Sequence, residues 1–324
     1  MDQSPVAEGE NAGEAIKNSE TLAFAAEDLG YNALFYSEHH GVKGYAGSSP
    51  EILAAHVLAN TKCIKVGTAG IMLRHYSALK VAEWAKMMHA LYPDRFILGL
   101  GRAPGGLVET IRALNNHRLP KVGDMEEKVK DILSYLNNNQ DPSGLIKIQP
   151  SVSSKNPEVH WLGSSQNSAR LAAENGLGLS YFTFLEEGKF DFLNKYVNLF
   201  QENGFYNRPK TRATVAVSVA ESEEAARKNA FGMVYQFLES KKRIEPKPLR
   251  YWKDVEQILK RTGEEEIFYA LLDKVICCTA QEVKRSLERV QEQYGADELI
   301  LMSNLFDPED RIRNFAYIME SVSE

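Results

Sequence analysis

The run Val159-His160-Trp161-Leu162 leads into Gly163-Ser164-Ser165 and then Ser168, setting small and hydroxyl-bearing residues where an apolar strand gives way to a helix. Strand, small-residue turn and helix start together aim free backbone N–H groups and the positive end of a helix dipole at one point. The chemistry of such a point is anion binding, with the Ser164, Ser165 and Ser168 hydroxyls as further donors. An ordinary β–α turn with a serine N-cap carries the same letters. A second group, Glu38-His39-His40, offers proton transfer or metal ligation. Successive strand residues point to opposite faces, so two adjacent histidines rarely share an ion without a turn. His75 could be a third ligand, but no carboxylate cluster accompanies it, leaving a metal pair, a structural pair and a catalytic histidine as readings. Third, Arg102 follows Gly99-Leu100-Gly101. Glycines there let a planar ligand or a phosphate approach the backbone. An arginine facing the serine turn makes charge-assisted bonds to a phosphate, and a rim arginine paired with a nearby acid is the alternative.

These residues need a frame that brings strand ends together. Residues 33–37, 64–70, 95–102, 159–162, 179–184, 213–219 and 298–302 read as short buried strands. Helical patterns follow them near 50–60, 78–91, 124–136, through Ala169, Leu171, Ala172 and Ala173 to a stop at Asn175-Gly176, near 187–201, from 222, and from 308 to the end, and an opening helix covers 13–29. Met1 to Val6 reads as the tail of a first strand, either very short or beginning upstream. Parallel strands alternating with helices, without a dinucleotide-binding fingerprint, give a single-domain (β/α)8 TIM barrel over residues 1–324, with a doubly wound sheet as runner-up. A long insertion, roughly 233–279, separates strands seven and eight. Its charged, proline-broken stretch 241–248 reads as mobile. In such a barrel the chemistry sits just beyond the strands, which collects Glu38, His39, His40, Ala69, Gly70, Arg102, Ser164, Ser165, Ser303 and Asn304.

A formal net charge of −6, with 44% apolar and 25% charged residues, argues against a nucleic-acid or anionic-membrane partner. Three cysteines, Cys63, Cys277 and Cys278, make no metal-ligand spacing and suit a reducing compartment. No apolar run approaches the ~20 residues of a membrane span, and the chain reads as cytoplasmic. The helix at 78–91 is apolar over a wider arc than one barrel face needs; either the insertion covers it or a second copy does, and a homodimer is the expectation.

Five strings in order, Asp2-Gln3-Ser4-Pro5-Val6, Ser37-Glu38-His39-His40, Val66-Gly67-Thr68-Ala69-Gly70, Leu98-Gly99-Leu100-Gly101-Arg102-Ala103-Pro104-Gly105 and Trp161-Leu162-Gly163-Ser164-Ser165, resemble the bacterial luciferase-like, flavin-dependent monooxygenases. The resemblance implies the same barrel and reduced FMN delivered by a separate, transiently bound flavin reductase. It implies a flavin phosphate site at Arg102, Ser165 and Ser168, with Gly163 and Ser164 around it. Ala69-Gly70 corresponds to a bulge with a cis peptide bond that supports the isoalloxazine, and His39 to a histidine that handles protons near the flavin ring. The implied reaction oxygenates a small organic substrate with O2, without a metal. Two departures stand out: the curtailed first strand, and Cys277-Cys278-Thr279-Ala280 where a Gly-Thr/Ser-Pro segment is expected. A deazaflavin-dependent dehydrogenase of the same superfamily, or a catalytically silent flavin-binding partner subunit, would keep much of this pattern.

Overall fold

Strand and helix alternate as the periodicity requires. In a computed structural model, which describes residues 1–103, 105–118, 125–137, 149–152, 155–184, 191–202, 205–242 and 244–323, the first half runs α1 (Ala12–Asp28), β1 (Ala33–Tyr36), α2 (Pro50–Asn60), β2 (Lys65–Thr68), β3 (Ile71–Met72), α3 (Ala78–Leu91), β4 (Phe96–Gly101), α4 (Val108–Leu114) and α5 (Met125–Leu136). The second half runs β5 (Glu158–Leu162), α6 (Gln166–Glu174), β6 (Gly178–Phe182), α7 (Asp191–Leu199), β7 (Thr211–Val219), α8 (Glu223–Lys241), α9 (Trp252–Thr262), α10 (Glu265–Leu272), β8 (Ile276–Cys278), α11 (Ala280–Tyr294), β9 (Glu298–Met302) and α12 (Pro308–Ser323). Local signals set many of the ends. Asn11 and Glu14 form a capping box on α1, Ser165 caps α6, Ser222 caps α8, and left-handed Gly263 and Gly295 end α9 and α11.

All pairings between the named strands are parallel, in the order β1-β2-β4-β5-β6-β7, with β3 against the end of β4. The other edge of β7 is shared: Arg212 to Ala216 pair with β9, and Val217 to Val219 with β8. This is the α/β architecture of a (β/α)8 barrel. Ahead of β1, Asp2 bridges Tyr36 and the Met1 nitrogen donates to the Leu301 carbonyl, which sets residues 1–2 between β1 and β9.

Alternation along the strands sorts the core. Leu34, Tyr36, Leu98, Leu100, Val159, Trp161, Leu179 and Tyr181 pack in the layer beneath the outer helices. Phe35, Ile97, Ala216, Ile300 and Met302 belong to a second cluster that continues under α8, α9 and α10. At the N-terminal end of the strands an ion-paired layer forms: Lys65 to Glu158 at 2.5 Å, Arg212 to Glu158 at 3.0 Å and Arg212 to Glu298 at 2.5 Å. His160, buried between the Ser180 and Tyr206 hydroxyls, sits just above it. That end is plugged by side chains, which leaves the opposite end for a ligand.

Several boundaries differ from the sequence expectation. Cys277 and Cys278 lie in strand β8, and Thr279 caps α11 with Glu282, so the departure at this point is an ordinary strand-to-helix passage. The stretch expected to be mobile is tied down: the Pro246 carbonyl accepts from Gly44 N–H, and Leu249 exchanges backbone bonds with Val6 and Glu8. These bonds come from loop residues distant in sequence, which no local charge pattern foretells. The helix face expected to be covered by the insertion or a second copy is partly covered by α5, while Met87 and Leu91 remain exposed. Pro104, the helix start at Asp124, the first residues of the helix at 187–201 and Arg243 lie outside the described residues.

Candidate active site

Because the strands are parallel, their C-terminal ends share one face, and this brings the chemically promising residues together. At the end of β1 the two histidines separate as expected from strand alternation. His40 is buried, with Nε2 2.6 Å from Glu38 Oε1. Glu38 is fully buried and otherwise accepts from the Tyr76 hydroxyl and the Met72 N–H, each at 2.8 Å. One carboxylate thus ties β1 to β3 and, through the pairing of Met72 with Gly101, to the end of β4 beside Arg102.

His39 has a different environment. It is half-buried, its Nδ1 lies 3.2 Å from the Ser37 hydroxyl, and its ring stacks on Tyr45 with centroids 4.3 Å apart. Burial, then the charge of the neighbouring His40, lowers its pKa to about 4. His39 is therefore neutral at pH 7, a proton acceptor of low basicity or a neutral hydrogen-bonding ring. Tyr45 is in turn held by the Gln236 side chain, whose amide donates to the Lys247 carbonyl. Tyr45, Tyr76 and Met72 were not singled out from sequence. An aromatic in a Gly-rich loop was the only signal for Tyr45, and nothing local marked Met72.

At the end of β2 the Ala69–Gly70 peptide is cis, as the resemblance implied. A Cβ on Gly70 would fall 2.8 Å from the Gly99 carbonyl oxygen, and one on Gly99 would fall 1.9 Å from the Thr68 carbonyl oxygen. Gly99 therefore serves strand-to-strand approach, sealed by two bonds between Thr68 Oγ1 and the Gly99 backbone. At Gly101, by contrast, the nearest atom to a Cβ is 3.7 Å away, so space is left open there. Arg102 is exposed, and among the described residues its guanidinium has no ion pair; the rim-arginine alternative finds no acid there.

The serine turn is compact. The Gly163 N–H donates to the Ser180 carbonyl, and a Cβ at this position would lie 2.3 Å from Ser168 Oγ, so the residue must be small. The Ser165 hydroxyl accepts from the Ser168 N–H at 3.1 Å and lies 3.0 Å from the Ser168 hydroxyl. Ser164 Oγ accepts from the Phe182 N–H at 3.3 Å, fixing the turn to β6. The cap leaves the first-turn N–H groups of Gln166 and Asn167 without intrahelical partners, the type of donor an anion can use. Among the described residues no three His, Cys, Asp or Glu side chains come together to hold a metal, and no helix is long and apolar enough to cross a membrane.

The geometry can be set beside known proteins. The sequence model for luciferase-like monooxygenases matches residues 1–296. The uncharacterized protein YwcH of Bacillus subtilis is 35% identical over 331 residues, covering 100% of this chain and 98% of that protein. Apo-MsnO8 superimposes with a TM-score of 0.84 at 27% identity, covering 99% of this chain and 96% of the other. The oxygenating constituent of 3,6-diketocamphane monooxygenase from Pseudomonas putida, in complex with FMN, shares the fold with a TM-score of 0.68 at 18% identity, over 97% and 94% of the two chains. The whole-length matches, the barrel and the ordered strand-end motifs agree: the chain belongs to the luciferase-like monooxygenase family.

Proposed function

We propose that this protein is a monooxygenase that uses reduced FMN and O2 to oxygenate a small organic substrate. The observation that carries the reading is the pairing of Gly101 with Leu162, which sets Arg102 and the serine-capped start of α6 beyond neighbouring strand ends, Arg102 having no acidic partner among the described residues. That donor set suits a phosphate monoester: a permanently charged guanidinium, hydroxyls and helix N–H groups. Arg102, Ser165 and Ser168 would hold the phosphate, with Gly163 and Ser164 forming the turn around it. The Ala69–Gly70 backbone would support the ring system, and the open space at Gly101 admits it. When bound, reduced FMN supplies the electrons that activate O2.

The protein's own part is binding, orientation and proton handling. His39, neutral at pH 7, would accept or relay a proton at the mouth, with Tyr45 holding its ring flat. His40, committed to Glu38, would keep the loop in place. The cofactor's reduced form would come from a separate reductase, and a cytoplasmic homodimer joined through the exposed apolar residues of α3 completes the proposal.

Isothermal titration under nitrogen with reduced FMN, oxidised FMN and a deazaflavin tests this. Reduced FMN should bind, and oxygen uptake should follow when air is admitted. A protein that takes the deazaflavin and ignores FMN would be a hydride-transferring dehydrogenase instead.

A further inference from the structure

Beyond α8 the chain crosses the loop that follows β1, and the two approach closely. A Cβ on Gly44 would lie 2.6 Å from the Lys247 carbonyl oxygen and 2.8 Å from that of Pro246. Farther on, a Cβ on Gly232 of α8 would lie 2.8 Å from the Arg250 carbonyl oxygen. Glycine at both positions lets the segment lie against the loop on one side and the helix on the other. Two backbone donors of the loop hold the crossing: the Gly44 N–H to the Pro246 carbonyl at 2.9 Å, and the Lys43 N–H to Glu245 Oε1 at 3.1 Å. Gln236, on α8 and only 2% exposed, joins both chains. Its Nε2 donates to the Lys247 carbonyl at 2.7 Å, and its Oε1 accepts from the Tyr45 hydroxyl at 3.3 Å. A carboxamide supplies that donor and acceptor together; a hydrocarbon side chain of the same length supplies neither.

The Tyr45 backbone is already held by an antiparallel bridge to Pro5. What the hydroxyl bond governs is the ring, which stacks on His39 with centroids 4.3 Å apart and planes 27° apart. The imidazole is held on its other side by the Ser37 hydroxyl, 3.2 Å from Nδ1. One hydrogen bond fixes an axis and lets the ring turn about it, whereas a stack fixes the plane. We infer that Gln236 is a positioning residue for His39: through Tyr45 it sets the plane of the imidazole and makes the insertion a working part of the active site. The inference rests on His39 as the proton-handling group of the proposed reaction. The charged groups packed around these contacts are His40, bonded to Glu38, and Glu239, whose Oε1 lies 3.7 Å from Lys247 Nζ. Glu239 is buried three residues along α8 from Gln236, and burial pushes its pKa up.

NMR of the flavin-free full chain, with isotope-labelled histidine, reads the stack directly, because the Tyr45 ring current moves the His39 C–H signals upfield. Gln236→Met keeps the length and removes both donor and acceptor. At pH 9 its His39 signals should fall back toward those of an unstacked histidine, and the titration midpoint should rise from about 4 toward the ordinary ~6.5 as water reaches the ring. Gln236→Glu carries its own rescue. A protonated carboxyl donates to the Lys247 carbonyl and accepts from Tyr45 as the amide does; an ionised one only accepts. Burial and the nearby Glu239 keep a carboxyl protonated there at pH 5. This variant should therefore show native His39 signals at pH 5 and those of Gln236→Met at pH 9, within one folded protein. If Gln236→Met fails to fold, that comparison still decides. Native signals in Gln236→Met at pH 9, or no difference between pH 5 and 9 in Gln236→Glu beyond that of the native chain, would overturn the inference. Oxygen uptake with reduced FMN, at equal flavin occupancy, tests the parent reading separately. Gln236→Met should lose turnover about tenfold, a part of the ~10²–10⁴-fold that general acid–base help supplies. Unchanged turnover with displaced His39 signals would contradict the role of His39 in the chemistry and not the support of its ring by Gln236.

Discussion

Replacing Glu38 by alanine should loosen the whole mouth of the barrel. The carboxylate is fully buried and meets three donors, His40 Nε2 at 2.6 Å and the Tyr76 hydroxyl and Met72 N–H at 2.8 Å. Leaving a buried neutral donor unanswered costs about 1–3 kcal/mol. The hydrogen bond between the carboxylate and His40 Nε2 adds about 1.5–3 kcal/mol, the scale of a bond to a charged group. The three losses share one emptied volume that water can enter, so they overlap, and the expected total is about 4–6 kcal/mol. Glu38→Gln keeps the shape and one acceptor oxygen and should lose only about 1–2 kcal/mol. Urea unfolding at pH 7, followed by circular dichroism, gives both values from the shift in midpoint. Because Met72 pairs with Gly101 next to Arg102, the alanine variant should also bind FMN more weakly than the glutamine variant at temperatures where both are folded. A loss below about 1 kcal/mol for Glu38→Ala would refute the view of Glu38 as the tie between β1 and β3.

Gly99→Ala should fail to fold or lose more than about 3 kcal/mol, since its Cβ would lie 1.9 Å from the Thr68 carbonyl oxygen, whereas Gly101→Ala should fold with near-native stability; expression and thermal midpoints compare them. His39 should titrate by NMR with a midpoint near 4, and because its folded pKa lies below the unfolded value, its contribution to stability is complete above about 6.5 and is lost as pH falls toward 4. Urea midpoints should therefore fall as pH drops from about 6.5 toward 4. His39→Ala should fold and bind FMN yet slow turnover by about 10²–10⁴-fold, while His40→Ala should show its main effect in the urea midpoint; the reverse pattern at equal flavin occupancy would exchange the two roles.

The fold was legible because parallel barrel strands are continuous apolar runs, and those of β1, β4, β5 and β7 stand out against polar helices. The serine turn was legible because Ser165 must cap α6 whatever else it does, and the separation of His39 from His40 follows from strand alternation alone. What escaped was decided by tertiary contact. The stretch 241–248 looks mobile in isolation, but the Pro246 carbonyl within it accepts from the distant Gly44 N–H, and Leu249 just beyond it bonds Val6 and Glu8. Gly99 was assigned to a ligand because its neighbour Thr68 could not be seen from its own segment. The low pKa of His39 comes from burial and from His40, and a local pattern carries no burial. Tyr45 and Tyr76 reach the site through loops whose course no periodicity fixes.

The phosphate anchor is the central claim, and a comparison of FMN with riboflavin tests it most directly. Equilibrium dialysis of the native protein should give tighter binding of FMN, and Arg102→Ala should weaken FMN by about 1.5–3 kcal/mol, the scale of a hydrogen bond to a charged group. Riboflavin, which lacks the phosphate, should bind the native protein and the variant almost equally. A variant that loses FMN and riboflavin alike would contradict the account and move Arg102 from ligand binding to structure.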